Sequence, residues 1–344
     1  MTPVRISIPS AAKGRLGVLD ELKGVAIILV VAYHASGVLS LRDILHPEVG
    51  VDMFVILSGI GLGFSGREEP AGRFLLRRFM RIYPTYWVVL AALLLADGRL
   101  RGMHYAPADI LLHATGLHAW FGDAYAMSIS DAFWFITLIV SLYVAYVPLR
   151  RLWRRPDLLL LAGSVLSVVP ILVYFHWSQP AVFGHMAVRI PGFFAGLVVG
   201  RLLRQGNLDI PVSAGLGAAF FLLFYVTYAF GIVVASFVVG LAIMGAYAFL
   251  LRPVVPGFAR SGLAWLGIRS LAIYLVHQPL VREFNVYVLQ RYFPEAGITP
   301  LSLSLGIIAG LCATLAVSAV LYRTLGRICL SGPGTPSPMP GAQA

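Results

Sequence analysis

Long apolar stretches broken by short basic clusters dominate this chain. They can be drawn at 22–41, 49–66, 82–97, 131–149, 157–176, 185–203, 212–230, 233–251, 263–281 and 301–322. Most approach the roughly 17–25 residues that a helix needs to cross a hydrocarbon core. The pattern therefore predicts an all-α integral membrane protein with about ten transmembrane helices. Basic residues recur at alternate gaps. Lys13, Arg15 and Lys23 precede the first span, Arg67, Arg73, Arg77, Arg78 and Arg81 lie between the second and third, and Arg150, Arg151, Arg154 and Arg155 follow the fourth. Arg201 and Arg204, Arg252 and Arg260, and Arg323 and Arg327 follow the sixth, eighth and tenth. The positive-inside rule puts all of these in the cytoplasm, with both termini, and leaves Arg99, Arg101, Arg282 and Arg291 on the far side.

One polytopic membrane domain is expected over 1–330, followed by a tail, 331–344, whose Pro, Gly and Ser content predicts disorder. Asp20 and Glu21 precede the first apolar run and no small-residue cleavage site follows it, so the run reads as a retained span. Two outer loops are long. The one at 98–130 holds ADILLHATGLHAWF, too short to span, which predicts a re-entrant or interfacial helix. Its His104, His113 and His118 form no HxH or HxxxH pair, and no metal site is expected. The other, 282–300, mixes aromatic and charged residues and suits an interfacial or sugar-contacting surface.

Composition sharpens this picture. Hydrophobic residues make up 59% of the 344 and charged residues 12%, which leaves no room for a sizeable soluble domain. The formal charge of +11 is accounted for by the span flanks, so no nucleic-acid partner is expected; the bilayer is the partner. Cys312 and Cys329 show no metal-ligand spacing and no disulfide framework.

Several residues in this apolar setting can carry chemistry. Lys23 and His34 are separated by ten residues, and between Gly24 and Leu41 His34 is the only titratable group apart from Tyr33. If Lys23 marks the interface, His34 lies ~16 Å beyond it, near mid-membrane. An imidazole there is costly unless it pairs, faces water or acts in a reaction, so it is either a helix-packing group or a functional one. Asp52, near the outer start of the second span, is expected within one helical turn of the depth of His34, where its carboxylate could orient the ring and leave the other nitrogen as a base. A helix cap at the interface is the alternative, with Gly50, Ser58, Gly59, Gly61 and Gly63 serving close packing. In FLLRRFMRIYPTYW, Arg78 and Arg81 are three apart and share a helical face suited to phosphate, with Arg77 near it; an ordinary basic flank is the plainer reading. Pro84 suits the first turn of a helix starting at the membrane surface. Trp134, Thr137, Ser141 and Tyr143 lie on the fourth span, and His277 lies deep in the ninth, where Pro279 is expected to open the helix.

Together these blocks resemble membrane-bound acyltransferase family three, the bacterial O-acyltransferases. LDELKGVAIILVVAYH, GVDMFVILSG, RRFMRIYPTYW, WFITLIVSLYVAYVPL and SLAIYLVHQPL resemble the family's blocks in order over ~19–281. Where many relatives carry acidic residues in the fourth-span block, this chain has Ile139 and Val140. The resemblance implies a catalytic His34 and acyl-CoA contacts at Lys23, Arg78 and Arg81. With Asp52 in support, it suggests transfer of an acyl group, most often acetyl, from cytoplasmic acyl-CoA to a hydroxyl of a sugar, polysaccharide, other glycan or small molecule. Tyr83, Trp134, Tyr143 and His277 are candidate substrate or oxyanion contacts. The resemblance also implies a bacterial inner membrane. No hydrolase-like domain follows the last span, so the membrane domain is expected to serve the acceptor itself. Intramembrane His and Asp with glycine-interrupted helices also suit a proton-coupled transporter, and a non-catalytic component of polysaccharide assembly is a third reading.

Overall fold

A computed structural model describes residues 17–38, 49–66, 68–177, 181–205, 240–283, 287, 288, 291 and 299–330. The span expected at 212–230, part of the one at 233–251, most of the 282–300 loop and the tail lie outside them. Every regular element among the described residues is helical. The main helices are α1 (Gly17–Val38), α2 (Val49–Ser65), α3 (Ala71–Ala96), α4 (Pro107–Thr115), α5 (Trp134–Leu149), α6 (Pro156–Trp177), α7 (Ala181–Ala187), α8 (Ile190–Gln205), α9 (Gly257–Ile268), α10 (Ser270–Gln278) and α11 (Pro300–Leu330). Four stretches among the described residues are long and apolar enough to cross a membrane: Ala71–Arg101, Asp131–Leu152, Gly184–Gln205 and Leu301–Gly326. Val49–Ser65, Pro156–Ser167 and Ser270–Val281 are apolar but shorter.

The core is built around α2, which is buried along nearly its whole length. Two glycine pairs at four-residue spacing make this possible. A Cβ on Gly59 or Gly63 would meet the backbone of Phe193–Leu197 or Leu197–Arg201, and one on Gly196 or Gly200 would meet Ile56–Ile60 or Ile60–Phe64. Residue numbers rise together on both helices, so α2 and α8 pack in parallel with their backbones in contact, as small-xxx-small helices do. Gly61 has open space around its would-be Cβ and takes no part. By contrast, α11 presents Leu301, Leu305, Ile308 and Val320 outward, and α3 presents Leu76, Trp87, Val88 and Leu95, the apolar faces a bilayer would cover.

Three expectations change. First, α3 starts at Ala71, after Pro70 in an extended conformation, so Pro84 lies inside the helix rather than in its first turn. The basic flank is itself amphipathic and simply continues the helix. Second, the ninth span is broken at Arg269. The Gly24 Cβ would touch the Leu263 backbone, and the Gly267 Cβ the Asp20 backbone, so α9 runs antiparallel to the start of α1. At the break, the Arg269 guanidinium lies 4.1 Å from the Trp265 ring centroid and 4.6 Å from that of Tyr322. Third, Gly50 packs against Ala26 and Val30 of α1. From that contact Asp52 lies two residues toward the Lys23 end and His34 four residues the other way. The two are thus offset along the helix axes by about 9 Å, more than one turn.

At the Lys23 end, Glu21 accepts hydrogen bonds from Arg252 Nε at 2.9 Å, Arg252 Nη2 at 3.1 Å and Tyr247 Oη at 2.8 Å. This bidentate pair, with Glu21 buried and Arg252 partly exposed, bolts the first turns of α1 to the helix end before α9. Arg252→Met, which strands the Glu21 carboxylate, is expected to cost about 1–3 kcal/mol and to lower the melting temperature in detergent.

Candidate active site

Two histidines from opposite ends of the chain meet near the end of the bundle away from Lys23. The His34 ring on α1 lies 4.9 Å from the His277 ring on α10, edge to face at 61°. His277 is fully buried, and its Nδ1–H donates to the Tyr274 carbonyl at 2.6 Å. A carbonyl can only accept, so Nδ1 carries a proton and Nε2 is the nitrogen left for another partner. That Nε2 has no hydrogen-bond partner among the described residues.

The segment leading into α5 holds α10 in place. Tyr274 Oη donates to the Ala132 carbonyl at 2.7 Å, while Gln278 Oε1 accepts from Ala132 N–H at 2.7 Å and from Ser130 Oγ at 3.3 Å. The opening expected at Pro279 is a π-helical turn, Pro279–Glu283, against which α11 packs through Gly310.

Asp52 has an ionic partner that the sequence reading passed over. Its carboxylate lies 3.2 Å from Nε of Arg189, with the two side chains 3% and 0% exposed. The same guanidinium donates through Nη1 to the His185 carbonyl and sits 5.1 Å from the centroid of the Trp134 ring. Arg189 is the only charged residue between Ala181 and Gly200, and a lone charge in so apolar a stretch was the signal available for it.

The remaining candidates divide between two further places. At the basic end, Arg78 lies 5.0 Å from the Tyr143 ring centroid and 5.4 Å from that of Phe74, while Arg81 is exposed. Neighbouring Arg77 is bonded to Glu69, whose carbonyl accepts from Arg150 Nη1 at 2.6 Å. Lys23 Nζ is 3.6 Å from Asp20. Tyr83 works elsewhere: its hydroxyl donates to the Thr115 carbonyl at 2.6 Å, beside the Trp87 indole, which donates to Ala114 at 2.8 Å.

Those bonds show how deep the 98–130 loop reaches. Tyr83 and Trp87 lie near the middle of α3, and Ala119 N–H and Trp120 Nε1 bond Thr137 and Ser141 on α5 at 3.3 and 2.8 Å. The segment is thus bonded along both α3 and α5. Within it His113 and His118 stack face to face, with centroids 3.9 Å apart and 11° between planes, both fully buried. Imidazole lone pairs lie in the ring plane, so two rings stacked this way cannot converge on one ion.

A family model described as an acyltransferase domain matches residues 17–323, almost all of the described chain. The chain belongs to acyltransferase family 3. No curated protein and no solved structure matches it. As a member of family 3 it is a multi-pass membrane enzyme that takes an acyl group from a donor to an acceptor, rather than a carrier or an assembly component. Every block quoted for the resemblance lies inside the matched range. Within this family 3 enzyme, His34 meets His277, Asp52 and Trp134 meet through Arg189, and Arg78 meets Tyr143 at the basic end.

Proposed function

We propose that this enzyme is an acyl-CoA-dependent O-acyltransferase of a bacterial inner membrane, with both termini cytoplasmic, and that His34 is its catalytic base. One observation carries the reading: in a membrane acyltransferase, the half-buried His34 ring lies against the fully buried imidazole of His277 at 4.9 Å. Two intramembrane histidines brought together by separate helices are expensive as packing and economical as chemistry.

In this scheme the basic end receives the nucleotide. Arg78, rigidified between aromatic rings, and Arg81, open to solvent, hold the phosphates with Lys23, while Arg77 is occupied by Glu69. The pantetheine arm carries the thioester inward to His34. There the imidazole removes the proton of an acceptor hydroxyl, and the oxygen attacks the thioester carbonyl. The carbon–sulfur bond breaks, and the CoA thiolate leaves with the proton held by His34. An acyl-imidazole route uses the same group as nucleophile. Trp134 and Tyr143 remain candidate substrate contacts, whereas Tyr83 is engaged in holding the 98–130 loop. The donor is acetyl-CoA and the acceptor a glycan hydroxyl.

Membrane vesicles incubated with acetyl-CoA labelled in the acetyl group should place label in base-labile ester on glycan or lipid-linked sugar. Label passing to no hydroxyl, for acetyl or for longer acyl chains, would overturn the proposal. Arg78→Ala is expected to raise KM for acyl-CoA about tenfold with kcat little changed, read from saturation curves of CoA release.

A further inference from the structure

We infer that Arg189 is a positioning residue for acyl transfer, holding the entry to α5 and, through it, the His277 ring against His34. The inference rests on the reading of His34 as the reacting centre. It begins from cost: a guanidinium and a carboxylate buried together in the interior of a membrane protein are costly to desolvate and weak as stabilisers, so their retention needs a further reason.

The contacts supply one. Arg189 touches three elements: it pairs with Asp52 of α2 at 3.2 Å, bonds the His185 carbonyl of α7, and lies 5.1 Å from the centroid of Trp134, the first residue of α5. A planar fork can serve a carboxylate, a carbonyl and an indole face at once; an ammonium cannot. Trp134 directly follows the Ser130–Phe133 segment, on which α10 is hung. Ala132 accepts from Tyr274 and donates to Gln278, and His277 lies between those two residues in the chain. A second route of ring contacts runs from Trp134 through Phe135 to Tyr274, with centroids 6.4 and 5.0 Å apart, and from Tyr274 to His277 at 5.6 Å. Arg189 therefore fixes one end of a short train whose other end is the His34–His277 contact. Asp52, offset from His34 along the helix axes, serves this train as the counter-ion that anchors Arg189 to α2.

The test is carbethoxylation of the full chain with diethyl pyrocarbonate, read histidine by histidine by mass spectrometry, in wild type, Arg189→Lys and Arg189→Met. Lysine keeps the charge and so guards against misfolding in the methionine variant. His34 and His277 should react about fivefold faster in the variants, with His113 and His118 unchanged, because a local tether has been released. Equal rates in all three proteins would overturn the inference, as would a uniform rise at every histidine, which marks general loosening. This labelling needs no acceptor. In CoA release from acetyl-CoA, Arg189→Lys should lower kcat about tenfold or more with KM within about twofold. Wild-type turnover in His34→Ala would remove the underlying reading; wild-type turnover in the Arg189 variants beside an inactive His34→Ala would remove this inference alone.

Discussion

Replacing His34 by alanine is expected to lower acyl-CoA turnover by about 10²–10⁴-fold while leaving a folded, acyl-CoA-binding protein. The size follows from the loss of a positioned proton acceptor. Water does not replace it, being a far weaker base than imidazole near neutral pH. The fold should tolerate the change, since the α1 contacts that hold the helix in place are elsewhere: Glu21 with Arg252, Gly24 with Leu263, and Ala26 and Val30 with Gly50. KM for acyl-CoA should stay close to wild type, as the proposed phosphate contacts lie at the other end of the bundle. Free CoA followed in detergent, with melting curves of both proteins alongside, checks this. Wild-type turnover in a folded His34→Ala protein would move the reaction away from the two histidines.

The second large effect concerns the seam between α2 and α8. Gly59→Val, Gly63→Val, Gly196→Val and Gly200→Val should each destabilise by about 1–3 kcal/mol or more, because every added side chain drives into backbone of the facing helix. Backbone cannot rotate aside as a flexible side chain can, so the helices must separate, and the Asp52–Arg189 pair at the end of the same seam separates with them. Gly61→Ala is the control: with open space around its Cβ and a gain in helix propensity of about 1 kcal/mol, it should be neutral or stabilising. Melting temperatures in detergent distinguish the two classes. Uniform behaviour across Gly59, Gly61 and Gly63 would contradict the seam.

How much of this was legible in the sequence depended on whether a signal was local. His34 and His277 stand out as titratable groups in apolar runs, and the ordered blocks from Leu19 to Leu280 marked the family. Their contact was not legible, because it joins helices far apart in the chain, and nothing in a linear pattern announces which helices will be neighbours. Asp52 was recognised as unusual but given the wrong depth, since counting from span ends cannot find the register that Gly50 sets against Ala26 and Val30. Arg189 was passed over because it lies inside an apolar stretch read as an ordinary span. Pro84 misled for a related reason: a basic amphipathic flank and a helix can be the same segment. The short apolar helix in the 98–130 loop, in contrast, was legible from its length, and Thr137 and Ser141, noted as polar positions on the fourth span, turn out to bond the segment that follows it.

The most direct measurement is to crosslink an acyl-CoA analogue carrying a photoreactive group in its acyl chain and to map the labelled peptides. Label is expected on α1 around His34 and on α10 around His277, competed away by acetyl-CoA and reduced in Arg78→Ala at low analogue concentration. Competable label confined to other helices, with α1 and α10 unmarked, would contradict the placement of acyl transfer at the two histidines.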